Sequence, residues 1–292
     1  NSEDLNKHLF LTKGVHLVFS QERIPLKHSM YFDAPDGRMV FAIKREGKVY
    51  IGTTDTEYHD NKESPVCRNE DRTYVLNAVN TMFKKLDLTE LDIESTWAGL
   101  RPLIHEKGKS PSELSRKDEV FIAENGLISI AGGKLTAFRK MAQKIVDRIE
   151  AKEKRFGACK TDQILLIGAI DFGADGYSKL KNKLATYQSK FTNNKNSLRL
   201  LNSYGNTSFK MMEKSTDDES LVFAEIDYCI KNEGLEHLVD YYSRRSGKIL
   251  FAAEEVKLNQ DIIFNYYSKV RELSIEGVNF ERKRLLELQL NI

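Results

Sequence analysis

Cysteine, proline and net charge are all scarce in this chain of 292 residues, and each scarcity excludes something. The three cysteines, Cys67, Cys159 and Cys229, are odd in number, far apart and without a Cys-x-x-Cys spacing. A disulfide framework or a cysteine zinc site is therefore not expected, and a reducing cytosol is the simplest compartment. The six histidines contain no His-x-x-x-His pair, so no metal centre is expected. Five prolines beside 40% hydrophobic and 30% charged residues make a globular balance, neither disordered nor fibrous. Forty-five Lys+Arg against 43 Asp+Glu leave a net charge of +2, which lacks the bulk positive field of a nucleic-acid binder. No apolar run approaches the ~20 residues of a membrane-spanning helix. Neither Gly-x-Gly-x-x-Gly nor Gly-x-x-x-x-Gly-Lys-Ser/Thr occurs, so a nucleotide would need its main cradle elsewhere. The chain opens Asn1-Ser2-Glu3 with no initiator Met and is read as a piece of something longer.

What is present changes in character near residue 160. Upstream, β-type runs alternate with glycine-bearing turns: Val15 to Phe19, then Met39 to Ile43 and Val49 to Thr53 around the polar turn Lys44 to Lys48. Val120 to Ala123 and Leu127 to Ile130 flank Glu124-Asn125-Gly126, a tight-turn signal. Such short connections imply antiparallel pairing. Helical stripes run over 70–86, through Val75, Val79, Met82, Phe83 and Leu86, and over 135–150, through Leu135, Phe138, Ala142, Ile145, Val146 and Ile149. Downstream, 177–190, 196–213, 218–232, 234–244, 259–273 and 276–290 read as helices. Gly157 to Gly176 reads as a connector, in which Ile164 to Ile167 forms an isolated strand or an extended packed run. The expected fold is α+β: an antiparallel sheet flanked by helices over 1–160, then an all-α domain over 161–292.

Several residues could carry chemistry. Ser129-Ile130-Ala131-Gly132-Gly133-Lys134-Leu135-Thr136 ends a strand in paired glycines and opens a helix at once. Free N–H groups, the positive helix end and the Lys134 charge would suit an anionic or electron-rich ligand; the plain alternative is a turn needing φ > 0 with Lys134 solvated. Arg101, in Trp97-Ala98-Gly99-Leu100-Arg101-Pro102, must reach water or pair, and its planar fork suits a carboxylate, a phosphate or a developing oxyanion. Arg116 sits in a polar run before the second hairpin; for both arginines a structural salt bridge is the alternative. His16, in an apolar strand, is either a satisfied core histidine or a general base. Asp55, at a polar strand end, supports a site or makes turn hydrogen bonds. Tyr241 to Gly247 reads as packing at a helix end. The tail from Asn279 is an ordinary amphipathic helix.

Taken together, Lys13-Gly14-Val15-His16, Ile51-Gly52-Thr53-Thr54-Asp55, Gly99-Leu100-Arg101-Pro102-Leu103, Ser115-Arg116 and Ala131 to Thr136 followed by Arg139-Lys140 resemble the FAD-dependent, quinone-linked glycerol-3-phosphate dehydrogenases. The resemblance covers nearly the whole chain, which looks like the C-terminal portion of such an enzyme: substrate domain plus helical cap, without the Rossmann-type half. It departs at Ala137-Phe138, where the family often has a polar residue and a tyrosine.

What the resemblance implies is oxidation of sn-glycerol 3-phosphate to dihydroxyacetone phosphate, with FAD as cofactor and membrane quinone as electron acceptor. Gly132, Gly133, Lys134, Leu135 and Thr136 would line the flavin's pyrimidine side, and Arg101 would stand by the C2 oxygen. His16 would be the general base, with Lys134 competing for that role, and Arg116 and Lys134 would hold the phosphate. No nucleic acid is a partner. The location implied is cytoplasmic, peripheral at the inner face of the cell membrane, with association into a homodimer left open. A fragment lacking the Rossmann half is expected to bind no FAD tightly and to be inactive alone. The alternatives are an oxygen-using glycerophosphate oxidase, for whose insertion there is no obvious room between Arg101 and Gly132, and a non-catalytic helical interaction module.

Overall fold

A computed structural model describes residues 7–106, 118–169 and 175–290. The chain packs as two compact units made of interleaved segments. One comprises Asn1–Gly14, Thr54–Pro65 and Ala98–Ile164; the other comprises Val15–Thr53, Val66–Trp97 and Leu165–Ile292.

The larger unit holds most of the antiparallel sheet. Strands β2 (Met30–Asp33), β3 (Met39–Arg45) and β4 (Lys48–Gly52) lie in order, followed by the second half of β1 (Lys7–Ser20). The expected turn between Lys44 and Lys48 is Glu46-Gly47, both at positive φ (52° and 80°). That geometry matches the right-handed twist of the strands it joins, and it sets the register Lys44 opposite Val49 and Phe41 opposite Gly52. Val15, Leu17, Val18, Phe19, Val40, Ala42, Val49 and Ile51 are fully buried. Helix α1 (Asn69–Met82) adds Val75 and Val79 of its expected stripe, with Ala78 beside them, to the buried set, while Met82 of that stripe is exposed.

β2 and β6 (Ile93–Glu106) were not legible as strands. β6 carries Glu94, Ser95, Thr96, Gly99, Arg101 and Pro102, which hide its alternation, yet Ser95 and Thr96 are buried. β6 also pairs with β1.

The helical part of this unit runs through α3 (Gly176–Ala185), α4 (Asn194–Tyr204), α5 (Ser208–Lys214), α6 (Asp218–Asn232), α7 (Leu238–Asp240), α8 (Lys248–Phe251), α9 (Ala253–Val270) and α10 (Ile275–Leu290). One core, including Leu200, Phe209, Met212, Leu221, Ile226, Phe264 and Tyr267, is shared by most of them.

The single helix expected over 196–213 is broken. Gly205 turns to φ 54° and lies against Gly168, whose carbonyl accepts a hydrogen bond from Asn206 N–H at 2.8 Å. A Cβ on Gly205 would come within 2.4 Å of that carbonyl oxygen, so two glycines permit the crossing. The helix expected over 234–244 is also replaced, by α7 and a π-helical turn at Tyr241–Arg245, closed by Ser246 N–H donating to Tyr241 O at 2.8 Å. Ile164 to Ile167 forms no strand and is largely exposed.

In the smaller unit, the first half of β1 pairs with β5 (Thr56–Glu57), and β7 (Asp118–Ile122) pairs with β8 (Ile128–Gly132). The Asn125-Gly126 connection is longer than a two-residue turn. Only Gly126 has positive φ, and the Asn125 side chain accepts from Leu127 N–H. Helix α2 (Phe138–Glu153) follows a 3₁₀ turn at Leu135–Ala137. None of its residues is buried, and Leu135, Phe138 and Val146 of the expected stripe are exposed. The stripe is legible as periodicity, but among the described residues it is not packed into a core.

Candidate functional site

Three constellations hold the residues singled out by sequence. The first lies in the smaller unit, where Arg101 projects from β6. Its Nη1 donates to the carbonyl of Thr54 at 3.0 Å and to Asp55 Oδ1 at 3.2 Å. Thr54 in turn donates from Oγ1 to the Lys13 carbonyl at 3.1 Å, tying this corner to β1. Gly14 is what lets the guanidinium lie there: a Cβ at that position would fall 2.5–2.7 Å from Nη2, Nη1 and Cζ. Arg101 and Asp55 keep 36% and 33% of their side-chain surface in solvent. The result is a fixed cation anchored on one flank and reachable by an anion.

The second constellation, in the same unit, is the glycine strap. Gly132 and Gly133 adopt φ 76° and 79°, which side-chain-bearing residues rarely reach, so the positive φ expected at this turn is met. Gly133 packs on α2, since a Cβ there would meet Met141 Sδ at 2.7 Å. Lys134 is extended; Leu135 and Thr136 follow, and all three are exposed. Neither the 3₁₀ turn nor α2 has a side-chain cap or an acidic residue in its first turn, and α2 opens Phe138-Arg139-Lys140. A helix start that no carboxylate neutralises favours an electron-rich partner. Across the hairpin, Lys144 binds Asp118 at 2.6 Å and holds that carboxyl below the usual carboxylate range.

The third constellation belongs to the larger unit. His16 on β1 faces Gly52 on β4 and stacks on Trp97, ring centroids 4.5 Å apart and planes 11° apart. Tyr50 meets the imidazole edge-on at 6.0 Å. The Gly52–Thr53 peptide is cis.

Sequence reasoning took His16, Arg101, Arg116 and the Gly132–Thr136 strap together, within 1–160; the structure places Arg101 and the strap in one unit and His16 in the other, and Arg116 lies outside the described residues. Sequence reasoning noted Asp55 as a supporting residue without finding its partner. It missed Gly14 and Trp97 as neighbours of Arg101 and His16, although Trp97 is the sole tryptophan and Gly14 adjoins the apolar run.

A polar cluster in the helical part went unread. Arg199 on α4 makes a two-pronged contact with Glu225 on α6, at 2.8 and 2.5 Å, while Tyr204 and Tyr241 hydroxyls donate to the same carboxylate at 3.1 and 2.8 Å. Burial pushes the Glu225 carboxyl up, yet Arg199, Lys248 and Tyr241 outweigh it and hold it below its ordinary value. Burial and the Glu225 charge push the Tyr241 hydroxyl well up, and burial pushes the neighbouring Cys229 thiol up to about 12. Both stay protonated at neutral pH. Tyr241 and Tyr242 are fully buried, so the start of Tyr241 to Gly247 is packing, as read, while Arg244 is exposed. Among the described residues no group of three or more His, Cys, Asp or Glu is placed to hold a metal ion, and no helix is long and apolar enough to cross a membrane.

Comparison with known proteins defines the class first. Residues 2–139 match the FAD dependent oxidoreductase family, and residues 159–274 match the C-terminal domain of alpha-glycerophosphate oxidase. The two matches follow one another along the chain as the α+β part and the helical C-terminal part expected from its sequence do.

The relatives narrow this. The aerobic glycerol-3-phosphate dehydrogenase of Bacillus subtilis is 44% identical over 97% of this chain and 54% of its own length. That of Staphylococcus saprophyticus is 42% identical over 86% of this chain and 48% of its own length. The glycerol-3-phosphate dehydrogenase of Bacillus halodurans, solved in complex with FAD, superposes with a TM-score of 0.83 at 35% identity, covering 98% of this chain and 58% of that one. The resemblance to FAD-dependent aerobic glycerol-3-phosphate dehydrogenases holds across nearly the whole chain. The chain spans about half the length of these curated relatives.

Proposed function

We propose that this chain is the substrate-domain and helical-cap portion of an enzyme that oxidises sn-glycerol 3-phosphate to dihydroxyacetone phosphate with FAD and passes the electrons to membrane quinone. The glycine strap supports a flavin partner. Its exposed backbone at an uncapped, acid-free helix start suits a ring that gains negative charge on reduction. Gly132, Gly133, Lys134, Leu135 and Thr136 would hold the pyrimidine side. Bound FAD supplies the acceptor for the hydride that leaves C2.

The chain's own residues do the rest. His16 takes the proton of the C2 hydroxyl, with Lys134 the competing base. Arg101 steadies the negative charge that grows on the C2 oxygen as that proton leaves. Lys134 and Arg116 fix the phosphate dianion. Use of a quinone puts the enzyme at the inner face of the cell membrane, where a homodimer is one form it could take.

The observation that carries this reading is Arg101: a guanidinium held by Thr54 and Asp55 in the room left by Gly14, yet partly open to solvent. Replacing Arg101 with Ala in the complete enzyme should lower kcat/KM by roughly 100- to 1,000-fold, as loss of an oxyanion-stabilising donor does elsewhere. Near-normal turnover would refute the role.

The match of residues 159–274 to a domain named for alpha-glycerophosphate oxidase favours a second reading, with oxygen as acceptor. Turnover of the complete enzyme with oxygen against a soluble quinone analogue separates the two. Dominant oxygen use would overturn the quinone assignment.

A further inference from the structure

A histidine side chain has two torsions, and the outer one is broad, so a strand backbone alone does not fix where the ring nitrogens point. Around His16 two features remove that freedom. On β4 the residue opposite is Gly52, and a Cβ there would come within 2.5 Å of His16 Cδ2 and of the Val15 carbonyl; the imidazole occupies the room that a side chain would take. The ring also lies flat on the Trp97 indole, 4.5 Å away and 11° from parallel.

Trp97 is itself held. Tyr50 meets it at 5.4 Å and the buried Phe251 meets it edge-on at 6.0 Å, while Tyr50 and Phe251 touch each other at 5.9 Å. Stacking engages the faces of an imidazole and leaves its nitrogens at the rim. Such a contact therefore fixes the ring plane without consuming a proton-accepting atom.

We propose that Trp97 is a positioning residue for His16, its indole fixing the imidazole plane so that a ring nitrogen is held in the direction needed to accept the substrate's hydroxyl proton. This rests on the reading of His16 as the general base. Ring rotation of a base that must meet one hydroxyl costs turnover more than affinity, because the substrate's phosphate is held by other residues.

Two measurements test it. In the complete enzyme, Trp97→Leu should lower kcat roughly 10- to 100-fold with KM within about twofold, and Trp97→Phe, which restores a flat face, should recover most of the loss. Thermal unfolding of each variant separates misfolding from misalignment. If Trp97→Leu unfolds, the Phe variant against wild type is read alone, and a KM rise with unchanged kcat overturns the proposal. Because the 292-residue chain has one tryptophan, its emission reports the stack directly. His16→Asn removes the ring that covers one face of the indole, so at a fixed pH the variant's emission should differ from that of the wild-type chain in maximum or intensity. Identical emission of the two overturns the stack. The two readings fail differently. Normal turnover of His16→Asn removes the general-base role itself, whereas its collapse beside an unimpaired Trp97→Leu removes only the positioning role.

Discussion

Two arginine–carboxylate pairs, one in each unit, show how the same chemistry serves different ends. Arg199 and Glu225 meet through both prongs at 2.8 and 2.5 Å, with 5% and 0% of their side chains exposed, and two tyrosine hydroxyls complete the carboxylate. Arg101 and Asp55 meet through one nitrogen at 3.2 Å with about a third of each side chain in water. A half-exposed pair contributes about 0–1 kcal/mol, so stability does not account for the care with which Gly14, Thr54 and Asp55 place that guanidinium. The closed pair has no face to offer a ligand. Exposure, rather than charge, separates a structural ion pair from a candidate site.

The sharpest way to break the contrast is to neutralise each carboxylate in turn. Glu225→Gln keeps the volume but takes from the buried Arg199 the carboxylate it grips, and should cost about 3–5 kcal/mol of stability, read by urea or thermal unfolding. Asp55→Asn should change stability by less than about 1 kcal/mol and instead reduce turnover of the complete enzyme by roughly 10-fold, as the guanidinium loosens. If Asp55→Asn proved the more destabilising, the distinction would fall.

Acid provides a second lever. The folded Glu225 carboxyl titrates below its ordinary value of 4.5, so the stability it contributes is present above that value and is lost as pH falls through the lower, folded one. Acid unfolding followed by circular dichroism should show this loss in wild type and a flatter profile in Glu225→Gln. A smaller effect separates the cysteines. Cys229, buried with its thiol pushed up to about 12, should react with iodoacetamide last. Cys159, whose thiol the Thr161 hydrogen bonds hold below the usual range, should react first, as peptide mapping after brief labelling would show.

How much of this was legible followed from range. The Glu46-Gly47 turn, α6 over 218–232 and the Gly132-Gly133 break all rest on neighbours within a few residues, and the sequence carries them directly. The broken helix at Gly205 depends on Gly168, 37 positions away, which local periodicity does not see. Arg101 drew notice because a charge interrupted an apolar run; its partner Asp55 lies 46 residues back and was identifiable only as a strand end. Glu225 was not singled out, although it follows Leu221 and precedes Cys229 at four-residue spacing, and both are buried. An acid on a buried stripe was the available signal.

Glycine supplies the finest test of the open pair, because Gly14 and Gly99 stand near Arg101 for opposite reasons. A Cβ on Gly14 would meet the far end of the Arg101 side chain at 2.5 Å, and the three atoms nearest to it all belong to that guanidinium. The flexible side chain can swing away, so Gly14→Ala should leave stability within about 1 kcal/mol of wild type while displacing the guanidinium. Gly99, two residues before Arg101 on β6, has nothing within 4 Å of a built Cβ and no positive φ. Gly99→Ala should therefore be neutral in turnover and gain about 0.4–1 kcal/mol by restricting the unfolded chain. Equal turnover of the two alanine variants would mean that the slot beside Arg101 is incidental; loss in Gly14→Ala alone, at unchanged stability, would show that the placement of this one cation is what the surrounding strands are built to secure.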